Sequence, residues 1–313
     1  MKIVVLDGYA ANPGDISWEP MRALGELIVY ERTRPEETEE RIGDAEAVLT
    51  NKVLITEEIM AKKPNLRYIG VLATGYNVVD IPAAKARGIV VCNIPAYSTP
   101  SVAQHVFALL LELCAHVGHH SDAVHAGRWT NSRDFCFWDT PLMELSGKTL
   151  GIVGYGRIGQ AVERVARAFG MQVRICSGHA QGADVVPMDT LLRESDVVTL
   201  HCPLTKDNAG LMNAETIGKM KDGAILLNTA RGGLVNEADV RAALESGKLA
   251  GFAADVACAE PIPADSPLLG APNCVLTPHI AWAPKEARQR LMDIAVANVA
   301  AWQAGASQNN VAK

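Results

Sequence analysis

No apolar run in the chain approaches the ~18 residues of a membrane-spanning helix, and the longest, VFALLL, is closed by Glu112. Passage through a bilayer is therefore not expected. The opening MKIVVLDG reaches Asp7 after a stretch too short for the core of a secretory signal, so the cytoplasm is the expected compartment. The 7 cysteines are scattered, odd in number and never set as CxxC, which suits reduced thiols rather than a disulfide framework. Basic residues are not in excess: 29 Lys and Arg face 35 Asp and Glu, a formal charge of -6. That balance argues against a surface built to hold nucleic acid or anionic membrane, while leaving room for a small anionic substrate held by a few local groups. Short repeats and low-complexity tracts are missing too. What remains, 313 residues with 49% hydrophobic and 20% charged side chains, is ordinary globular material for one large or two medium domains.

Short β-branched runs alternate with amphipathic stretches along the whole chain, the pattern of parallel strands covered by helices, so the expected class is α/β. The first set of strands is 2–7, 27–31, 47–50, 68–72 and 89–93. After Pro95 a long apolar-rich stretch predicts one connector helix ending near Gly127. A second set follows at 149–154, 171–176, 196–201, 224–229, 249–255 and 275–279, and matches a dinucleotide-binding sheet. The closing stretch PKEARQRLMDIAVANVAAWQ reads as a helix starting at Pro284 and returning to the first domain. The expected organisation is thus two doubly wound parallel-sheet domains: a discontinuous, flavodoxin-like substrate domain of 1–98 with 287–313, and a Rossmann domain of 99–286, with a cleft between. The tail GASQNNVAK has no apolar stripe and is expected to fray.

GIVGYGRIGQAVERVARAFG places Gly154, Gly156 and Gly159 between a strand and an Ala/Val/Arg-rich helix. In that context Gly154 allows a tight turn, Gly156 lets the backbone approach a pyrophosphate, and Gly159 packs helix on strand. The helix N-terminus offers free N–H groups to the phosphates. NAD enzymes carry an acidic residue about 20 residues on, at the ribose 2′-hydroxyl. Here Ser177 stands there, followed by Gly178 and His179 and no arginine, so both NAD(H) and NADP(H) are expected to bind and the preference stays open.

Three further residues stand near the ends of the later strands: Arg231 in NTARGGLVNE, Glu260 in DVACAEP and His279 in LTPHIAWA. Singly, they also fit a surface arginine, a solvated carboxylate and a core histidine. Together they supply what hydride transfer to a 2-oxo acid needs: a planar fork for the carboxylate, a proton donor for the carbonyl oxygen and a carboxylate to orient that donor. A Glu on the second ring nitrogen fixes the tautomer of such a histidine.

The ordered motifs GYGRIG, HCPLT, NTARGGLVNE, DVACAEP and LTPHIA strongly resemble the D-isomer-specific 2-hydroxyacid dehydrogenase family. NIPAYSTPSVAQHVFALLLEL and LATGYNVVD extend the likeness over nearly the whole chain. The resemblance implies that His279 is the acid/base, Glu260 its partner and Arg231 the ligand of the substrate carboxylate. It implies that backbone amides at Thr74 and Gly75 bind that carboxylate across the cleft. It places Arg157 and Ile158 at the pyrophosphate and Thr229, Ala230 and Asp255 near the nicotinamide, although Asp255 fits a strand-end cap equally well. His201, Pro203 and Thr205 would line the adenosine side.

Within the family, TNK at 50–52, NSRDFCFWDTPLMELSGKTLGI and HIAWA most resemble bacterial glycerate dehydrogenases, also called hydroxypyruvate reductases. The substrate implied is D-glycerate or hydroxypyruvate. Asn51 and Lys52 would then touch its hydroxymethyl end, and Trp282 would narrow the pocket; ordinary packing and an exposed lysine are the alternatives. Glyoxylate or another 2-oxo acid is the nearer alternative substrate, and a nucleotide-sensing corepressor-like binding module the more distant reading. No regulatory extension is expected beyond the return helix. Trp129, Phe135, Phe137 and Trp138, in a chain with 5% aromatics, mark the region that forms the family's two-fold interface, so a homodimer is expected. His116, His119, His120 and His125 cluster on the connector, but no metal is expected, since the chemistry needs none and Asp122 is the only nearby carboxylate.

Overall fold

The short β-branched runs of the sequence all become strands, and every strand pair in the molecule is parallel. The computed structural model describes residues 1–313, divided into unit 1, residues 1–98 with 282–313, and unit 2, residues 99–281. Both units are doubly wound α/β sheets.

Unit 1 is built on β1 (Lys2–Val5), β2 (Glu26–Val29), β3 (Ala47–Thr50), β4 (Tyr68–Val71) and β5 (Val90–Cys92), in the order β2-β1-β3-β4-β5. β3 and β4 are buried along their whole length, which is why they read as unbroken apolar runs rather than alternating ones. The return helix, Lys285–Gln303, covers one face. Its Ala287, Leu291, Ala295 and Val299 recur every four residues, so one stripe meets Ile3, Val5, Leu49 and Tyr68. Val4, Leu6, Val48, Ile69 and Val91 fill the opposite face.

The tail does not fray. Asn310 bridges antiparallel to Cys92, the Val311 amide donates to Val91 O at 2.8 Å, and Val311 and Ala312 pack on the second core. β5 is an edge strand whose unpaired backbone groups need partners, and two small apolar side chains suffice to hold the tail against it.

Unit 2 carries β6 (Thr149–Val153), β7 (Gln172–Cys176), β8 (Val197–Leu200), β9 (Ala224–Asn228), β10 (Leu249–Ala254) and β11 (Cys274–Leu276), in the order β11-β10-β9-β8-β6-β7. A single parallel bridge from Ile175 to Val185 flanks β7. With that bridge counted as an edge strand, the order is the one of dinucleotide-binding sheets, and the switch point falls between β6 and β8. The segment at Val185 is too short to register as a strand in the sequence pattern. The expected single connector helix is two, Thr99–Ala115 and Val117–His125, bent by 57° at His116, whose left-handed φ of 47° breaks the hydrogen-bond ladder. No single helix is long and apolar enough to cross a membrane.

Candidate active site

β9, β10 and β11 are neighbours in the sheet, and each hands the chain to one member of the expected trio. Arg231 follows β9, Glu260 follows β10 and His279 follows β11, so all three lie beyond the carboxyl ends of adjacent strands, where parallel sheets bind ligands. The sequence predicts a strand reaching His279, but β11 stops at Leu276 and the histidine lies beyond it. It lies in a turn with φ of 55°, its amide donating to Thr277 O at 3.0 Å. The imidazole Nδ1 is 2.7 Å from Glu260 Oε2, and the Ala257 amide donates to the other oxygen, Oε1, at 3.2 Å. One carboxylate is thereby tied to its own loop on one side and to the imidazole on the other, leaving Nε2 free to exchange a proton. Both side chains are about one-third exposed, which keeps the pair open to a small ligand.

Arg231 is exposed, and its Nη1 donates to Ala230 O at 2.7 Å. Its turn is built by Asn228, buried at the end of β9: Nδ2 donates to Arg231 O at 2.9 Å and Oδ1 accepts from the Ala230 amide at 3.1 Å. Gly232 then packs on the segment leading to Glu260, where an added Cβ would stand 1.9 Å from Ala257 C. The Arg231 turn and the Glu260 loop touch backbone to backbone. Sequence reasoning missed Asn228 and Gly232; the signal available was a polar residue closing an apolar strand and a Gly-Gly pair directly after the arginine.

Asp255 takes the strand-end role. Only 1% exposed, it accepts from Thr277 Oγ1 at 2.6 Å, the Ile280 amide at 2.8 Å and the Ala281 amide at 2.7 Å, and so holds the turn that carries His279.

The glycine turn fits a dinucleotide. Gly154 has φ of 94°, and a Cβ there would meet Cys202 N at 2.5 Å; at Gly159 it would meet Gly154 O at 2.4 Å. Gly156, the N-cap of the helix Arg157–Ala168, has nothing within 4 Å of its would-be Cβ, and the first turn of that helix holds no acid. Two glycines are required by protein packing, and the third faces open space at a positive helix end, where a phosphate fits. Arg157 and Ile158 open this helix. Thr229 Oγ1 is buried without a partner beside the Arg231 turn, a polar atom waiting for a ligand group. Ala230 is half-buried next to it.

Ser177 follows β7 with its Oγ accepting from the His179 amide at 3.3 Å, and no carboxylate replaces it. His201 is 3.0 Å from Thr199 Oγ1, and burial pushes its imidazole down to about 4, so it is neutral near pH 7. Pro203 and Thr205 sit in one small turn around Asn208, which accepts from the Thr205 amide at 2.7 Å and donates to Pro203 O at 2.8 Å.

The remaining expected residues stand on unit 1. Thr74 Oγ1 donates to Ile94 O at 2.8 Å and Asn93 Nδ2 to Thr74 O at 2.8 Å, which fixes the turn at Thr74 and Gly75 from both sides. Asn51 is 6% exposed and spends its amide on Leu72 O at 2.8 Å, whereas Lys52 is exposed. Asp7 shapes their loop by accepting the amides of Asn51, Lys52 and Val53 at 2.7, 2.6 and 3.2 Å. A cavity of about 600 Å³ opens beside it, lined by Tyr9, Arg32, Lys52 and Leu54 among others. Trp282 packs against the core of unit 1, edge-on to Tyr97 at 6.5 Å. Of the connector histidines, His119 pairs with Asp139 at 2.7 Å, beside Arg128, rather than with Asp122.

Residues 107–281 match the family model for the NAD-binding domain of D-isomer-specific 2-hydroxyacid dehydrogenases. The chain is 54% identical to a hydroxypyruvate reductase of Blautia hydrogenotrophica over 100% of both chains, and 44% identical to a glycerate dehydrogenase of Methylorubrum extorquens over 90% of each. Among solved structures, an acyclic imino acid reductase in complex with NADPH and D-Arg is 29% identical with a TM-score of 0.85, covering 99% of this chain and 100% of that one.

Proposed function

The chain belongs to the D-isomer-specific 2-hydroxyacid dehydrogenase family, and on that premise we propose that it interconverts hydroxypyruvate and D-glycerate with NAD(H) or NADP(H). The observation that carries the reading is the 2.7 Å contact of His279 Nδ1 with Glu260 Oε2 beyond two neighbouring strands, beside the Arg231 turn. The nicotinamide, when bound, supplies the hydride for C2 of the oxo acid. His279, protonated on both nitrogens, donates from Nε2 to the carbonyl oxygen, and takes that proton back in the reverse direction. Glu260 accepts from Nδ1 throughout, which holds the ring plane and stabilises the imidazolium before transfer. Arg231 offers its guanidinium fork to the substrate carboxylate. Among unit 1 residues, the amides at Thr74 and Gly75 are the substrate donors in this reading, with Lys52 and Trp282 bearing on specificity and Asn51 acting through the loop it holds. Asp255 acts by holding the His279 turn.

Gly156, Arg157 and Ile158 would hold the pyrophosphate on the turn that Gly154 and Gly159 shape, with Ser177, His201, Pro203 and Thr205 on the adenosine side and Thr229 and Ala230 at the nicotinamide. Ser177 leaves a 2′-phosphate unrepelled, so both cofactors are accepted. Hydroxypyruvate is preferred to glyoxylate on the strength of the similarity to a hydroxypyruvate reductase and a glycerate dehydrogenase. A homodimer is supported by Trp129, Phe135, Trp138 and Leu142, large apolar side chains 54 to 89% exposed on one segment. The seven free thiols support a reducing, cytoplasmic setting.

The test is the initial rate of NADH and NADPH oxidation with hydroxypyruvate and glyoxylate. Wild type should favour hydroxypyruvate, and His279→Ala should lose at least about a thousandfold in kcat while binding NADH normally. Wild-type turnover by His279→Ala would reject the assignment of the acid/base.

A further inference from the structure

His105, on the helix Thr99–Ala115, takes no part in the chemistry above. Its side chain is 18% exposed, and Nε2 lies 2.9 Å from Thr277 Oγ1 and 3.5 Å from Asp255 Oδ1. The Thr277 hydroxyl donates to Asp255 Oδ1 at 2.6 Å. A hydroxyl has one proton to give, so toward His105 it can only accept, and His105 must carry its proton on Nε2. The direction of the chain of bonds follows: His105 to Thr277 to Asp255. The same carboxylate receives the amides of Ile280 and Ala281, the two that follow His279.

His279 itself has φ of 55°, a left-handed conformation that is unfavourable for a residue with a Cβ and persists only where the surroundings over-determine it. Asp255 does so only while it remains an ionised, buried acceptor. Burial pushes its carboxyl up, and the donations from His105, Thr277, Ala281 and Ile280 more than offset this, leaving it below the ordinary value. Without the donor on His105, the Thr277 hydroxyl could turn its proton away from Asp255, and the carboxylate would lose a bond that helps hold the turn.

We propose that His105 is a positioning residue for the reaction: through Thr277 Oγ1 and Asp255 it locks the turn 277–281 and so aims the His279 imidazole. The proposal rests on the acid/base role given to His279. It differs from packing alone in that a donor at the Nε2 position, rather than ring volume, is what the turn requires.

The test uses the full chain with NADH and hydroxypyruvate. His105→Leu, close in volume and without a donor, should lower kcat about ten- to hundredfold while leaving the NADH dissociation constant within about twofold. His105→Gln, which returns an N–H near the same place, should recover kcat to within about fivefold of wild type. Thr277→Val should match His105→Leu, and the double variant should lose little more than either. Amide exchange at Ile280 and Ala281 reads the lock without turnover and should quicken in His105→Leu but not in His105→Gln. Wild-type kcat in His105→Leu, equal loss in the Leu and Gln variants, or unchanged exchange would overturn the proposal. Wild-type failure on every 2-oxo acid would instead overturn the functional reading, while the exchange measurement still decides whether His105 holds the turn.

Discussion

Replacing Gly232 by alanine drives a methyl group into backbone rather than side chain. The added Cβ would lie 1.9 Å from Ala257 C, 2.0 Å from Ala257 O and 2.4 Å from Cys258 N, where ordinary contact starts at 3.4 Å. The two segments must part by roughly 1.5 Å, since neither is a flexible side chain that can swing away. Arg231 precedes Gly232 directly and Glu260 follows Cys258 by two residues, so the displacement falls on two of the three reacting positions. A misplacement of about 1 Å is worth around a hundredfold in rate, equivalent to about 2.7 kcal/mol of transition-state stabilisation. Overpacking should cost a further 1 to 3 kcal/mol or so of stability, lowering Tm by about 3 to 10 °C. The glycine turn at the pyrophosphate follows β6, away from this contact, so NADH affinity should fall far less than the rate, any loss coming from Thr229 and Ala230 at the nicotinamide. We expect kcat/KM for hydroxypyruvate to fall at least about a hundredfold, measured by NADH oxidation alongside thermal unfolding and a fluorescence titration of NADH. Full kcat/KM in the alanine variant, or a loss of NADH binding as large as the loss of rate, would refute the argument that Gly232 registers Arg231 against Glu260.

The glycine turn gives a paired test: Gly159→Ala, 2.4 Å from Gly154 O, should lower Tm without any ligand, whereas Gly156→Ala, facing open space, should leave the ligand-free Tm unchanged and weaken NADH binding. Equal ligand-free Tm values in the two would contradict this division of roles. Ser177→Asp should cut kcat/KM with NADPH at least about tenfold and spare NADH, by repulsion of the 2′-phosphate; parallel losses with both cofactors would count against Ser177 at the ribose. His201 supplies a pH dependence. Its imidazole is held at about 4 in the folded chain and titrates at ~6.5 when unfolded, so between those values the unfolded chain binds the extra proton and stability falls as pH falls. The loss, at most about 3 kcal/mol, is fully present above pH ~6.5 as stability and gone below pH ~4. Urea midpoints should therefore converge for wild type and His201→Asn on acidification, and a constant difference from pH 7 to 4.5 would rule the histidine out as the cause.

Much of this was legible in the residues themselves. The strand runs, the return helix with its four-residue stripe and the glycine turn are local patterns, because backbone geometry ties burial to a period of two or 3.6 residues and a turn to residues lacking a Cβ. Arg231, Glu260 and His279 could be singled out because carboxylate binding and proton transfer restrict the choice of side chain. The residues around them could not. Gly232, Asp7 and the role of Asp255 matter through contacts with partners 20 or more residues away, which have no period, whereas Asn228 acts locally, on the Ala230 amide and Arg231 O, through a turn that its residue type alone does not announce.

The errors have the same origin. Val311 and Ala312 lack an amphipathic pattern and yet are held, because an edge strand offers them backbone partners. His116 bends the connector by adopting a left-handed φ that its side chain does not announce. The sequence by itself determined the α/β class, the cofactor turn and the kinds of group that do the chemistry. Only the tertiary structure decided that β9, β10 and β11 lie side by side, so that three residues spread over 49 positions share one sheet end. It also decided that a buried carboxylate, gathering donors from distant segments, holds the acid/base turn, since such convergence depends on how the chain returns upon itself rather than on any local run of residues.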